Sequence, residues 1–280
     1  SIDLPSGMLA DHASAGNTII KARHTLSLGC YKTAFIWNDH QEYTGKIHLL
    51  DIGLDPAFLN HTTTHYYTVE LADARQLYRP RPGYFHKYQF GHALLLAGSD
   101  RMMGAAILAA RSCLRSGAGL ATVHCPLHRM PLLQAAVPEA IATDEEDTGT
   151  LFHKKAAIGA GPGWEISPVN SRLLEEALTR FAGPLILDAS ALTILQPLLP
   201  LLKERTAGTT LLTPHAGEFD RLFGTSRNDE ERMQLARQMA MHFNCCILLK
   251  GKYSMTALPD GQLYFNTSGN SGMATAGSGD

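Results

Sequence analysis

No apolar run in this chain approaches the roughly 20 residues that a membrane-spanning helix needs, and the longest, such as residues 197–202, are short and interrupted. Charge of one sign is also missing. A formal net charge of −2, with acids and bases interspersed, leaves no electrostatic footprint for nucleic acid or an acidic membrane surface. The opening residues, Ser1-Ile2-Asp3-Leu4-Pro5-Ser6-Gly7, make neither a signal nor a transit peptide, and without an initiator Met a cut N-terminus is expected. Cysteine is sparse: five residues, an odd number without CxxC spacing, with Cys113, Cys125, Cys245 and Cys246 all in apolar stretches. Buried free thiols account for them better than a disulfide framework or metal centre, which implies a reducing compartment, most simply the cytoplasm. There is no GxxxxGK[ST], so the chain is not a P-loop protein.

What is present is an ordinary globular composition, 45% hydrophobic and 18% charged, over 280 residues. That length allows one large domain, or one domain and a piece of another. Residues 1–55 read as a helix-like stretch (17–23) followed by short strands at 24–28, 34–37 and 46–52, too little to bury much core alone. Residues 56–83 read as a linker, with 60–65 polar and residues 79–83, Arg-Pro-Arg-Pro-Gly, as punctuation. From residue 84, apolar strands alternate with amphipathic helices. Strands are expected at 93–97, 120–124, 156–158, 184–188, 210–214 and 246–249, with a hairpin over 254–265. Helices are expected at 104–116, 169–181 and from Asn228 and Glu231, at capping-box spacing, to about residue 243. Such alternation predicts an α/β fold, a mostly parallel sheet covered on both faces, with ligands beyond the carboxyl ends of its strands.

Each of those strand ends carries a cluster. Small residues follow the first, Gly98-Ser99 and Gly104-Ala105-Ala106, suited either to a flat ligand or to tight helix–sheet packing. Gly161-Pro162-Gly163 resembles half a dinucleotide fingerprint without its spacing. Asp188 reads as a helix cap more readily than as a residue near phosphate. His215 and Glu218 lie three apart where a helix begins, and Glu218 is also what a helix dipole favours there. A turn at Lys250-Gly251-Lys252-Tyr253-Ser254 can wrap a nucleotide, or be a simple turn with a solvated lysine. Residues 266–280 are small, polar and glycine-rich, closing on Gly277-Ser278-Gly279-Asp280. Backbone N–H groups approach an anion closely where no Cβ intervenes. A carboxylate beside them can take a proton from a hydroxyl while the donors stabilise phosphoryl charge. A helix is expected to follow, its N-terminus completing the anion site, so a longer protein is expected.

In this order the clusters resemble the ADP-dependent NAD(P)H-hydrate dehydratases, over about residues 84–280, with the closing Asn266-x-x-Gly269-Asn270-x-Gly272-Met273-Ala274-Thr275-x-Gly277-Ser278-Gly279-Asp280 the most specific part. The start, with Asp3, Ser6-Gly7, Gly45-Lys46 and Asp51-Ile52-Gly53, is similar to the end of an NAD(P)H-hydrate epimerase domain. The resemblance implies a ribokinase-like fold for 84–280, a C-terminal epimerase fragment over 1–55, and repair of hydrated nicotinamide cofactors. (S)-NADHX or (S)-NADPHX would lose water as ADP becomes AMP and phosphate, through phosphorylation of the substrate hydroxyl and elimination. It further implies Asp280 as the base, Gly279 at the nucleotide phosphates, and Ala105, Gly163 and His215, with Asp280, lining the substrate site. Lys250, Gly251, Lys252, Tyr253 and Ser254 would contact the adenine nucleotide. Asp3 would face NAD(P)HX and Ser6 a potassium ion, and Mg²⁺ and a homo-oligomer are implied as well. Ala216, Ser190, Ser254 and Ser271 depart from the family pattern without removing a group that has a role. Two other readings stand beside this one. An ATP-dependent small-molecule kinase of the same fold would keep Asp280 but leaves the first segment unexplained, and a non-catalytic adenine-nucleotide sensor would tolerate its loss.

Overall fold

A computed structural model gives the structure, which describes residues 1–81 and 83–279. The chain begins with β1 (His24–Leu28), α1 (Gln41–Thr44) and β2 (Lys46–Leu50), followed by α2 (Pro56–His61), β3 (Tyr66–Val69) and α3 (Leu71–Leu77). Then come β4 (His92–Leu96), α4 (Met103–Arg115), β5 (Leu120–His124), α5 (Met130–Ala136), β6 (Ile141–Thr143), α6 (Thr148–Phe152) and β7 (Ala157–Ala160). The remainder is α7 (Pro168–Arg180), β8 (Leu185–Leu187), α8 (Ser190–Leu195), β9 (Thr210–Leu212), α9 (Ala216–Phe223), α10 (Asp229–His242), β10 (Cys246–Leu249), β11 (Ser254–Ala257) and β12 (Leu263–Asn266). β1 and β2 pair in parallel, and the other ten strands form one sheet in the order β3-β12-β11-β10-β9-β8-β7-β4-β5-β6.

Helical crossovers make the ladders from β10 through β6 parallel, because a strand that returns by way of a helix re-enters in the same direction. Among the described residues only β10–β11 and β11–β12 are antiparallel; the second is a hairpin closed by Leu258 N–H to Gln262 O (2.9 Å) and by Gly261 at φ +84°. Of the capping box expected for α10, the N-cap half is observed, Asn228 Oδ1 accepting from Glu231 N–H at 2.9 Å, while Glu231 Oε2 accepts from Arg227 N–H (3.0 Å) rather than from Asn228 N–H. Leu94, Leu96, Ile158, Leu185, Leu187, Leu212 and Ile247 point to one face and are fully buried. The other face is covered less than the alternation predicts. Above β4–β6 it carries the small-residue face of α4 and, beyond it, α5. Ala93, Leu95, Gly159, Ile186 and Leu248 instead line an open, mostly apolar cavity of about 390 Å³.

The first 83 residues differ most from expectation. Residues 17–23 are not helical, because their donors are taken by distant carbonyls: Ile20 N–H by Ser6 O (3.1 Å) and Ala22 N–H by Tyr43 O (2.8 Å). The apolar run at 34–37 is not a strand. It folds as a 3₁₀ turn, Thr33–Phe35, that buries Ala34, Phe35 and Trp37 in the same core as Met233 and Ala236 of α10; a short contiguous apolar run suits either form. Within the stretch expected as linker, β3 pairs with β12 in parallel, and Tyr67 stacks on Tyr264 with ring centroids 5.2 Å apart. β3 thereby covers an edge that β12 would otherwise expose.

Candidate active site

The strand ends converge at the carboxyl edge of the sheet. The tips of β4 and β7 interlock through Gly98 N–H to Pro162 O (2.9 Å) and Gly161 N–H to Leu96 O (3.0 Å). Two glycines there admit no side chain. A Cβ on Gly161 would sit 1.7 Å from Asp188 O, and one on Gly163 2.5 Å from Met102 O and 3.1 Å from the Ala105 methyl. Ala105 and Gly163, both expected at the substrate, are therefore neighbours on facing elements.

At the tip of β8, Asp188 does not cap α8; the N-cap is Ala189. Its carboxylate accepts from Lys250 Nζ at 2.6 Å, while Ala189 takes φ +46°, ψ −122°, a backbone region that costs a non-glycine residue roughly 1–3 kcal/mol. Lys250 follows β10 and is held by its N–H to Pro214 O (2.9 Å), alongside His215. His215 is the N-cap of α9: its Nδ1 accepts from the N–H groups of Gly217 (3.0 Å) and Glu218 (3.3 Å), while Glu218 Oε2 accepts from His215 N–H (2.9 Å). The reciprocal bonds satisfy two orphan donors of the helix. They also favour the tautomer with its proton on Nε2 of a half-exposed ring, 3.6 Å from Glu218 Oε2.

The glycine-rich segment closes on these tips. Asn266 Oδ1 accepts from Ser268 N–H (3.0 Å) and Asn270 Oδ1 from Gly272 N–H (2.8 Å), so the asparagines shape turns that a mere tail would not need. A Cβ on Gly269 would lie 1.7 Å from Lys252 O, and one on Gly279 3.5 Å from Lys250 Nζ. The turn at 250–254 and the loop at 266–279 thus touch at both ends. Asp280, expected as the base, lies outside the described residues.

Asp3 and Ser6 sit apart from this cluster, on the first segment. Asp3 has φ +60°; its Oδ1 accepts from Leu28 N–H (3.1 Å) and pairs with Lys32 Nζ at 2.7 Å. The hydrogen bond from Lys32, then that from Leu28, holds its carboxyl below the usual range. Ser6 lies in an exposed turn with its carbonyl accepting from Ile20 N–H. That first segment nevertheless reaches the turn at 250–254, since Asn38 Nδ2 lies 3.9 Å from a Cβ built on Gly251. Nothing in the sequence signals this approach.

Burial pushes the thiol of Cys125 up to about 11 and that of Cys245 up to about 12, and all five cysteines are free, consistent with packing rather than chemistry. Among the described residues no group of three or more His, Cys, Asp or Glu could hold a metal ion, and no helix is long and apolar enough to cross a membrane.

A family profile described as NAD(P)H-hydrate dehydratase matches residues 93–280, two-thirds of the chain and all of its strand-end clusters. The chain belongs to that family. A bifunctional NAD(P)H-hydrate repair enzyme of Moorella thermoacetica is 33% identical over 297 aligned positions, covering 100% of this chain and 56% of that protein. The chain therefore spans about half the length of such relatives. Among solved structures, an ADP/ATP-dependent NAD(P)H-hydrate dehydratase of Bacillus subtilis, crystallised with ATP and Mg²⁺, matches with TM-score 0.63 and 33% identity over 74% of this chain and 75% of that one. A ribokinase-like superfamily protein of Enterococcus faecalis matches with TM-score 0.65 at 24% identity over 77% of this chain and 76% of that one. The fold of the family's region is ribokinase-like, as the resemblance implies.

Proposed function

We propose that the chain carries the ADP-dependent dehydratase of a bifunctional cofactor-repair enzyme, returning (S)-NADHX or (S)-NADPHX to NADH or NADPH as ADP becomes AMP and phosphate. The observation that carries this reading is the Lys250 ammonium, fixed at a strand tip beside Gly279 of a glycine loop. A cation next to backbone donors at the carboxyl edge of a parallel sheet is a seat for nucleotide phosphates. In this reading the substrate hydroxyl attacks the β-phosphorus of ADP, its proton passes to Asp280, and AMP leaves. The phosphate ester then departs as phosphate when the adjacent ring carbon gives up its proton and the double bond forms. Ala105, Gly163 and the Nε2–H of His215 would line the hydrated dinucleotide, and the turn at 250–254 the adenine nucleotide.

Asp188 is committed to Lys250, so Mg²⁺ fits best as an ion carried on the nucleotide phosphates with few protein ligands. Epimerisation of NAD(P)HX is the reading for the full-length protein, with Asp3 toward the substrate and Ser6 toward K⁺, in a cytoplasmic homo-oligomer. Family membership sets aside the small-alcohol kinase. The nucleotide sensor is separated from the enzyme by Asp280→Asn in the full-length protein. NADH absorbance recovering from NADHX with ADP is expected to slow by about 10²–10⁴-fold while ADP binding persists. Undiminished turnover in that variant, or recovery without any nucleotide, would overturn the reading.

A further inference from the structure

We infer that Asp188 is a positioning residue for the phosphoryl-transfer step, acting through Lys250. The inference rests on the dehydratase reading above. Its ground is geometric. Asp188 is buried, with its side chain 11% exposed, whereas the Lys250 side chain is 32% exposed and ends 2.6 Å from the carboxylate and beside Gly279. The anchored partner is thus the acid, and the presented partner is the ammonium. A free lysine spreads over many rotamers, and a fixed counter-charge removes that freedom before the ligand arrives.

The backbone around Asp188 is built to aim it. Ala189 adopts its strained φ +46°, ψ −122° only because its neighbours over-determine the turn. Ala191 N–H donates to Asp188 O and Leu192 N–H to Ala189 O, each at 3.0 Å, and Asp188 O occupies the space a Cβ on Gly161 would fill. Contacts from the end of β7 and from α8 therefore fix the backbone from which this carboxylate projects. A partly exposed ion pair kept for stability alone contributes too little to offset such strain. Strain that persists at a ligand-binding edge is explained by what the aimed group does to the ligand. Held by Asp188, Lys250 meets the phosphoryl group at one place; without Asp188 it follows the nucleotide wherever its phosphates rest.

This gives a signature that simple structural damage does not share. In the full-length protein, Asp188→Asn is expected to lower kcat for ADP-dependent NADH recovery by roughly 10²-fold, the cost of misplacing a catalytic group by about 1 Å. Calorimetric affinity for ADP stays within about threefold or tightens, because the unpaired ammonium still finds the phosphates. In Lys250→Met both quantities fall. The double variant Asp188→Asn/Lys250→Met matches Lys250→Met within about twofold, since Asp188 has nothing left to position. If Asp188→Asn does not fold, as read by circular dichroism, Asp188→Glu takes its place in the same cycle. That variant keeps the pair but moves the ammonium, and is expected to lose about tenfold in kcat. Losses that multiply in the double variant, or an Asp188 variant that folds yet loses ADP affinity in step with kcat, overturn the inference. Wild-type protein that binds ADP but never regenerates NADH overturns instead the dehydratase reading beneath it.

Discussion

The carboxylate–ammonium pairs Asp188–Lys250 at 2.6 Å and Asp3–Lys32 at 2.7 Å are of nearly equal length, and they are built in opposite senses. At the first, the acid is buried and the lysine is presented, with side chains 11% and 32% exposed. At the second, the lysine is 15% exposed and the acid 40%. Each pair is associated with a left-handed non-glycine residue, Ala189 at φ +46° and Asp3 itself at φ +60°. The buried member is an anchor, and the exposed member is the one open to solvent. One region thus offers a cation, suited to phosphates, and the other an anion and acceptor, suited to hydroxyl or amide groups. Those are the two chemistries that the dehydratase and epimerase readings need in turn.

The comparison breaks most severely at a crowded glycine in each region. Gly161→Ala would drive a methyl to 1.7 Å from Asp188 O at φ +127°. It is expected to cost about 3 kcal/mol in denaturant unfolding, and to shift the single transition of the large sheet. Gly7→Ala, with a Cβ 2.0 Å from Thr18 O at φ +91°, is as crowded but sits in the first segment. Its damage is expected to stay there: amides near Ser6 and Ile20 lose exchange protection while the β4–β9 core keeps its own. Equal loss across the sheet in both variants would show that the two regions unfold as one unit.

A smaller effect tests which partner is the anchor. Lys32→Met removes the leading cause of the lowered Asp3 carboxyl, so Asp3 should titrate closer to its ordinary 3.8. A depressed carboxyl stabilises the folded chain above its unfolded value and loses that contribution as pH falls through the folded one. Wild type should therefore weaken in acid slightly more steeply than Lys32→Met, by under about 1 kcal/mol because Asp3 is well exposed. Carbon-detected titration of Asp3 checks the direction; an unchanged Asp3 would leave Leu28 N–H, not Lys32, as its anchor.

The sequence makes the large sheet far more legible than the first segment, for a physical reason. Strands such as β4, β8 and β10 are apolar runs bounded by glycine or by a polar tip, and their helices alternate with them at regular spacing. Residues 17–23 and 33–37 instead take their form from partners far away in the chain, Ser6, Tyr43 and α10, which local pattern does not name. The same holds within the site. Lys250, His215, Gly163 and Gly279 are found by inspecting strand ends, but the bond between Asp188 and Lys250 spans 62 residues, and only the fold shows that the carboxylate aims at a lysine rather than at a helix. Which member of a pair is buried is a property of packing, and no spacing encodes it.

The smallest effect concerns how the first segment is fastened to the second region. Ala13 N–H donates to Glu230 Oε2 at 2.6 Å, His12 Nδ1 lies 3.0 Å from Oε1, and Asn38 N–H donates to Asp229 Oδ2 at 2.7 Å, all at the start of α10. The bond from Ala13 leads the lowering of the Glu230 carboxyl below its ordinary 4.5. Its contribution is complete above that value and disappears as pH falls through the depressed one, so acid should loosen residues 12–14 before it loosens the sheet. Glu230→Gln keeps the shape and removes the charge, at an expected cost of about 0.5 kcal/mol near neutral pH for a rim contact. Exchange protection at Ala13 should fall two- to threefold (about 0.5 kcal/mol) in Glu230→Gln at about pH 6, and the two proteins should converge as pH falls below 4.5 and through the depressed value of the Glu230 carboxyl. Persistence of the difference in acid would assign the fastening to Asp229 and Asn38 and leave the carboxylate of Glu230 without a part in it.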